Sequence, residues 1–191
     1  MVVEIALIAA LQRRDEQALA QVFEQYADKI YRLALSTLRD EQQADGVVQD
    51  TFLKLIEHID RFEARASIGT WLYRVAYHEC LGRLRRAKNV PDSLDDGLIE
   101  TTMPTHFVDW QTLPETLLSH QETQSEIHKA IATLPETLRS VVTLRDIDEL
   151  STRETALILG ISEAAVKVRL HRARLLLREH LASYFEEYLR P

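Results

Sequence analysis

The chain has 191 residues, with 23 lysines and arginines against 30 aspartates and glutamates; the formal charge of −7 at first argues against a nucleic-acid partner. At 46% hydrophobic and 28% charged residues, it reads as an ordinary globular protein rather than a disordered one. Five glycines and five prolines supply too few turns for an all-β fold, and a single cysteine, Cys80, excludes an internal disulfide and any CxxC motif.

The charge is unevenly distributed. Residues 61–88 hold seven basic and two acidic side chains, and residues 167–178 hold five basic and no acidic ones. Residues 89–126 hold eight acidic and no basic side chains. Partners therefore have to be judged segment by segment, not from the total.

Ile5 to Leu11 is the longest apolar run near the start, far short of the roughly 20 residues a membrane span needs. Glu4 precedes it, and no basic segment does, so a packed N-terminal helix is expected and no secretory signal. With one cysteine, a reducing cytoplasm fits.

Asp15 is placed to cap a helix whose stripe is Leu19, Val22, Phe23, Tyr26, Ile30, Leu33 and Leu38. Val48, Phe52, Leu55, Ile56 and Ile59 form a second stripe. Ser67 can cap a third helix with Ile68, Trp71, Leu72, Val75 and Leu84 on its apolar face. Pro91 to Ser119 carries three prolines and no basic residue, which is linker composition. Ile127, Ala130, Ile131 and Leu134 begin a second helical block, and Pro135 opens its next helix. The expected fold is all-α: two small helical domains, residues 1–90 and 123–191, joined by a flexible acidic linker, 91–122.

The second block carries the sharpest local pattern. Ser151 and Glu154 have capping-box spacing, Gly160 can end that helix in the left-handed conformation, and Ser162 can cap the next. Two helices joined by a short glycine-containing turn make a helix-turn-helix, with Ala156 small enough for a close crossing. In the second of them, Val166, Leu170, Ala173 and Leu177 face inward, while Lys167, His171, Arg174 and Arg178 take the same steps one residue later. Arg169 and Arg172 widen the cationic side, and no acid occurs between Glu163 and Glu179. A major groove admits such a helix, although an isolated basic helix is more often merely solvated.

In residues 61–88, Phe62, Trp71, Tyr73 and Tyr77 interleave with Arg61, Arg65, Arg74, Arg83, Arg85, Arg86 and Lys88. Aromatic faces stack on unpaired bases while cations follow the backbone, a mixture suited to single strands. The plainer alternative is that Trp71 and Tyr77 belong to the core and the arginines to the solvent. The helix from Asp45 to Asp60 is acidic on the flank of Asp45, Gln49, Asp50 and Glu57, which is either a solvated face or a docking surface for a protein.

Three segments together resemble an extracytoplasmic-function RNA polymerase sigma factor. They are ADGVVQDTFLKL at Ala44–Leu55, ASIGTWLYRVA at Ala66–Ala76 with GRLRR following at Gly82–Arg86, and the series LPETLRSVVTLRD, LSTRETALILGIS and VKVRLHRAR beginning at Leu134, Leu150 and Val166. The resemblance covers about residues 15–88 and 125–182. It implies that Asp45, Gln49 and Asp50 dock on core RNA polymerase. It implies that Trp71, Arg74, Tyr77 and His78, with the basic residues Arg61, Arg65, Arg83, Arg85 and Arg86, hold the opened −10 promoter strand. It implies that Lys167, Val168, Arg169, His171, Arg172 and Arg174 read the −35 duplex. It also implies control by an anti-sigma factor, often membrane-bound, with no membrane insertion of this chain itself.

No cofactor, metal site or enzymatic activity is expected. The seven histidines are scattered, and no nucleophile–base pair or glycine-rich phosphate loop occurs. A stand-alone helix-turn-helix regulator is the competing reading. Several positions depart from the family pattern: Gly46 stands where an acid is usual, Thr155 for Ile, His78 and Gly82 for Asn and Asp, and Val168 for Ser.

Overall fold

A computed structural model of the chain describes residues 2–64, 66–88 and 121–188, so Arg65 and most of the expected linker lie outside the described residues. All regular structure among the described residues is helical.

Helix α1 (Val2–Gln12) buries Ile8 and Leu11 and leaves Ile5 exposed. Helix α2 (Glu16–Leu38) is capped by Asp15, whose carboxylate accepts from the Ala18 N–H at 2.9 Å. It stops at Arg39, which takes the left-handed conformation (φ 58°). Asp40 then caps α3 (Glu41–His58), accepting from the Gln43 N–H. That hydrogen bond, with a second from the Gln43 side chain, holds the Asp40 carboxyl below its ordinary pKa. A 3₁₀ turn, Ile59–Arg61, leads to α4 (Ile68–Lys88). Ser67 caps α4 by accepting from the Thr70 N–H at 3.0 Å, and the Glu4 carboxylate accepts from the Ile68 N–H. Both bonds satisfy first-turn donors that the helix cannot satisfy itself.

Helices α2, α3 and α4 share a core in which Val22, Ile30, Val47, Leu55, Leu72 and Cys80 are at most 1% exposed. Two members of the expected stripes sit elsewhere. Phe23 is 48% exposed with its ring centroid 4.8 Å from that of Phe52, and Ile56 is 39% exposed. Leu55 takes the inward position at 1% exposed, and Ile56, about 100° further round the helix, is turned toward its rim.

The second block comprises α5 (Gln121–Thr133), α6 (Glu136–Val142), a π turn (Thr143–Ile147), α7 (Thr152–Leu159) and α8 (Glu163–Tyr188). Pro135 stands at the N-cap of α6. Both halves of the capping box between Ser151 and Glu154 are formed, and Gly160 ends α7 at φ 68°. The Ile161 N–H closes that end onto the Ala156 carbonyl at 3.1 Å, and the Ser162 hydroxyl accepts from the Ala165 N–H to start α8. The helix-turn-helix is therefore built by local hydrogen bonds at each junction.

The two blocks are packed together as well as joined in sequence. Leu33 of α2 and Tyr73 and Tyr77 of α4 lie in one apolar cluster with Leu134, Leu138, Val141 and Ile158 of the second block. At the seam, the Asp148 side chain is 0% exposed and accepts from Arg32 at 2.8 Å and from the Tyr73 hydroxyl at 2.9 Å. Burial and the adjoining Asp148 charge push the Tyr73 hydroxyl pKa up. A second strap joins the ends of two helices: the Arg39 guanidinium donates to the Ala132 and Leu134 carbonyls.

Thr155, where the family pattern has Ile, is 0% exposed, and its hydroxyl has no hydrogen-bond partner. Leaving a buried hydroxyl unsatisfied is costly, and Val matches its shape without the polar atom. Thr155→Val should therefore raise the stability by about 1 kcal/mol, read as a higher urea midpoint at unchanged slope. A lower midpoint would mean that the hydroxyl is satisfied in solution.

Candidate nucleic-acid interface

Helix α8 sorts its residues as its period requires. Val166, Leu170 and Ala173 are buried, and Lys167, Val168 and His171 are exposed. Arg169 and Arg172 are half-buried. Arg174 is exposed and engaged with Asp146 of the π turn through Nε at 3.0 Å and Nη2 at 2.6 Å. The bond to Asp146 raises the Arg174 pKa further. This two-pronged pair fixes the flank of α8 against the turn before α7. The solvent-facing part of the cationic surface is thus concentrated in the first turns of α8, the part that a recognition helix presents to base edges.

Helix α4 separates the basic residues that the sequence groups together. At about 100° per residue, Arg74, His78 and Arg85 fall within about 40° of one another, and Arg83 lies about 180° from Arg74. Arg74 and His78 are exposed, and the His78 Nδ1 lies 2.9 Å from the Arg74 carbonyl oxygen. Arg85 is half-buried, and Arg86 is exposed. Trp71 is half-buried and meets Phe62 edge to face, with centroids 6.2 Å apart and planes at 80°. Arg61 is exposed on the 3₁₀ turn before α4. Trp71, Arg61, Arg74 and His78 therefore all reach the surface.

Two residues of the expected strand-holding group sit differently. Tyr77 is 5% exposed and lies in the cluster beneath the second block. Arg83 turns toward α3, where its Nη2 donates to the Asp50 carboxylate at 2.6 Å and its Nη1 to the Gln43 carbonyl at 3.0 Å.

On α3, Asp45 and Gln49 are exposed, and the Asp50 side chain is 44% exposed beside Arg83. Tyr31 of α2 lies near this flank; desolvation, then the Glu41 and Asp45 charges, raise its hydroxyl pKa. Leu53, one turn beyond Gln49 and Asp50, is 57% exposed and was not singled out by the stripe pattern. Its i+4 and i+3 spacing from those residues was the available signal.

Cys80 is fully buried, and burial pushes its thiol pKa up to about 12, which makes it a core residue rather than a reactive one. Among the described residues, no group of three or more His, Cys, Asp or Glu side chains lies together as metal ligands would. No described helix is long and apolar enough to cross a membrane.

Two family models match successive parts of the chain. Residues 22–90 match the sigma-70 region 2 family model, and residues 124–177 match sigma-70 region 4. The ECF RNA polymerase sigma factor SigW of Bacillus subtilis is 35% identical over 178 residues, covering 91% of this chain and 94% of that protein. The ECF sigma factor SigM of Mycobacterium tuberculosis is 32% identical over 168 residues, covering 88% of this chain and 79% of that protein. Among solved structures, the sigma factor RpoE in complex with the anti-sigma factor NepR, from Bartonella quintana, has a TM-score of 0.62 at 25% identity. It covers 85% of this chain and 96% of its own. CnrH, solved with the cytosolic domain of CnrY, shares the fold with a TM-score of 0.66 at 23% identity, covering 94% of this chain and 97% of its own. With both family regions in order along one helical chain, and relatives matched over 79% and 94% of their length, this protein belongs to the extracytoplasmic-function sigma factors of the sigma-70 family.

Proposed function

We propose that this chain binds core RNA polymerase and directs it to promoters, with the work divided among three helices. Helix α3 docks on polymerase through Asp45, Gln49 and Asp50. Helix α4, with the turn before it, holds the opened −10 strand through Arg61, Trp71, Arg74 and His78, assisted by Arg85 and Arg86. Helix α8 reads the −35 duplex through Lys167, Val168, Arg169, His171 and Arg172. The observation that carries this division is the segregation of charge by helix face: exposed cations on α4 and α8, and an exposed acidic flank on α3.

Tyr77 is assigned to the strand only after the second block moves away, since that block covers it in the free chain. Arg174 joins the −35 face only if it exchanges Asp146 for a phosphate. Because phosphates supply most of the affinity, binding falls steeply with salt. Val168 offers a methyl-sized apolar contact of the kind that meets a thymine methyl.

The chain acts in the cytoplasm as an initiation factor rather than an enzyme. The RpoE relative is bound to an anti-sigma factor, which supports control of this chain by a partner of the same kind. A membrane-anchored form of that partner is the one the family resemblance favours. A helix-turn-helix regulator acting alone would use α8 but leave the α3 flank and the Trp71 surface without a role.

Incubating the purified chain with core polymerase should give promoter-dependent transcription from a cognate template. A chain that forms no holoenzyme, yet binds duplex sites by itself, would support the stand-alone regulator. Lys167→Ala should weaken duplex −35 binding and reduce the salt slope by about 1; an unchanged slope would remove Lys167 from the phosphate contacts. Trp71→Ala should leave −35 binding intact while abolishing permanganate reactivity at promoter thymines. Loss of both functions together would indicate unfolding rather than a role in strand opening.

A further inference from the structure

Arg83 lies in the basic run that the sequence assigns to DNA, yet it points to the opposite side of α4 from Arg74. Its guanidinium crosses α3 directly over Gly46. A Cβ added at residue 46 would stand 2.9 Å from the Arg83 Nη1, well inside van der Waals contact. Beyond Gly46 the two prongs end on the Gln43 carbonyl and the Asp50 carboxylate. The Arg83 side chain is only 19% exposed, so the bond to Asp50 is partly shielded from water. Lys54 and Glu79 form a second ion pair between the same two helices.

We propose that Arg83 is a positioning residue for polymerase docking and that Gly46 is the clearance that lets it act. Asp50 could otherwise rotate freely among solvent-facing rotamers. Held by Arg83, it presents one carboxylate oxygen in a fixed direction beside Gln49 and Asp45. A side chain at residue 46 would crowd the guanidinium where it reaches Asp50, and an acid there would compete with Asp50 for it. The same strap ties the docking helix to the strand-holding helix. This inference rests on the assignment of the α3 flank to polymerase.

The test measures affinity for core polymerase, and separately the binding of a −10 single-stranded oligonucleotide by holoenzyme assembled at saturating core. Arg83→Ala should weaken core binding by about five- to tenfold, the scale of one charge-assisted hydrogen bond. In an Asp50→Ala background the same change should cost less than about twofold, because the two residues act as a unit. Oligonucleotide binding by the saturated holoenzyme should stay within about twofold of the unaltered protein.

Gly46→Ala supplies the readout that a purely structural role would not move. Alanine favours helix over glycine, which offsets the loss of the Arg83 bonds, so the melting temperature should stay within about 3 °C of the unaltered protein. Core affinity should nevertheless fall as in Arg83→Ala, because the Cβ pushes the guanidinium aside. Unchanged core affinity in both variants would overturn the inference, as would an Arg83→Ala defect confined to oligonucleotide binding, which would return Arg83 to the DNA contacts. If the unaltered chain fails to bind core polymerase at all, the docking assignment falls and the inference falls with it.

Discussion

The arrangement of the two helical blocks depends on one buried carboxylate. The Asp148 side chain has no solvent access, and its partners, Arg32 and the Tyr73 hydroxyl, come from the other helical block. A carboxylate removed from water without such partners would be strongly destabilising. The π turn that delivers Asp148 can therefore dock only where α2 and α4 present both groups. Apolar contacts among Leu33, Tyr73, Leu134, Leu138 and Val141 supply area at the seam, but area is non-directional. The Asp148 pair supplies direction, and Arg39, on carbonyls at the end of α5 and just beyond it, adds a second directional strap.

That seam has a consequence for charge. The formal charge of −7 conceals two cationic faces, on α4 and α8, within an acidic chain. In the closed arrangement the α4 face is only partly presented, since Tyr77 lies beneath the second block. Free DNA then meets an acidic molecule with divided cationic patches. Under the proposed function, polymerase engages the acidic flank of α3 and brings both patches to one promoter. Under this account the negative total and the closed seam act in the same direction, against unproductive binding.

What the sequence made legible was local. Asp15, Ser67, Ser151 and Ser162 each bond a backbone N–H three residues ahead, and Gly160 adopts the left-handed conformation, all expected from spacing alone. Those bonds close within one turn, so a short window contains both partners. Asp148 pairs across 116 residues with Arg32 and across 75 with Tyr73, and no pattern in a helix-length window points to either. The packing of the two blocks was hidden for the same reason. Arg83 is an intermediate case: composition grouped it with the DNA-facing arginines, although helical periodicity already set it on the other side of α4. Gly46 reads from sequence only as a weak helix residue, and its reason becomes visible once the Arg83 guanidinium is seen above it.

The buried, high-pKa Cys80 leaves the chain free for site-directed spin labelling. Labels at Gln21→Cys on α2 and Glu163→Cys on α8, both exposed positions, would report the separation of the blocks. Their distance distribution should be single in the free chain and shift to longer values in the holoenzyme on promoter DNA. An unchanged distribution would mean that both DNA surfaces act with the Asp148 seam closed, contrary to this account.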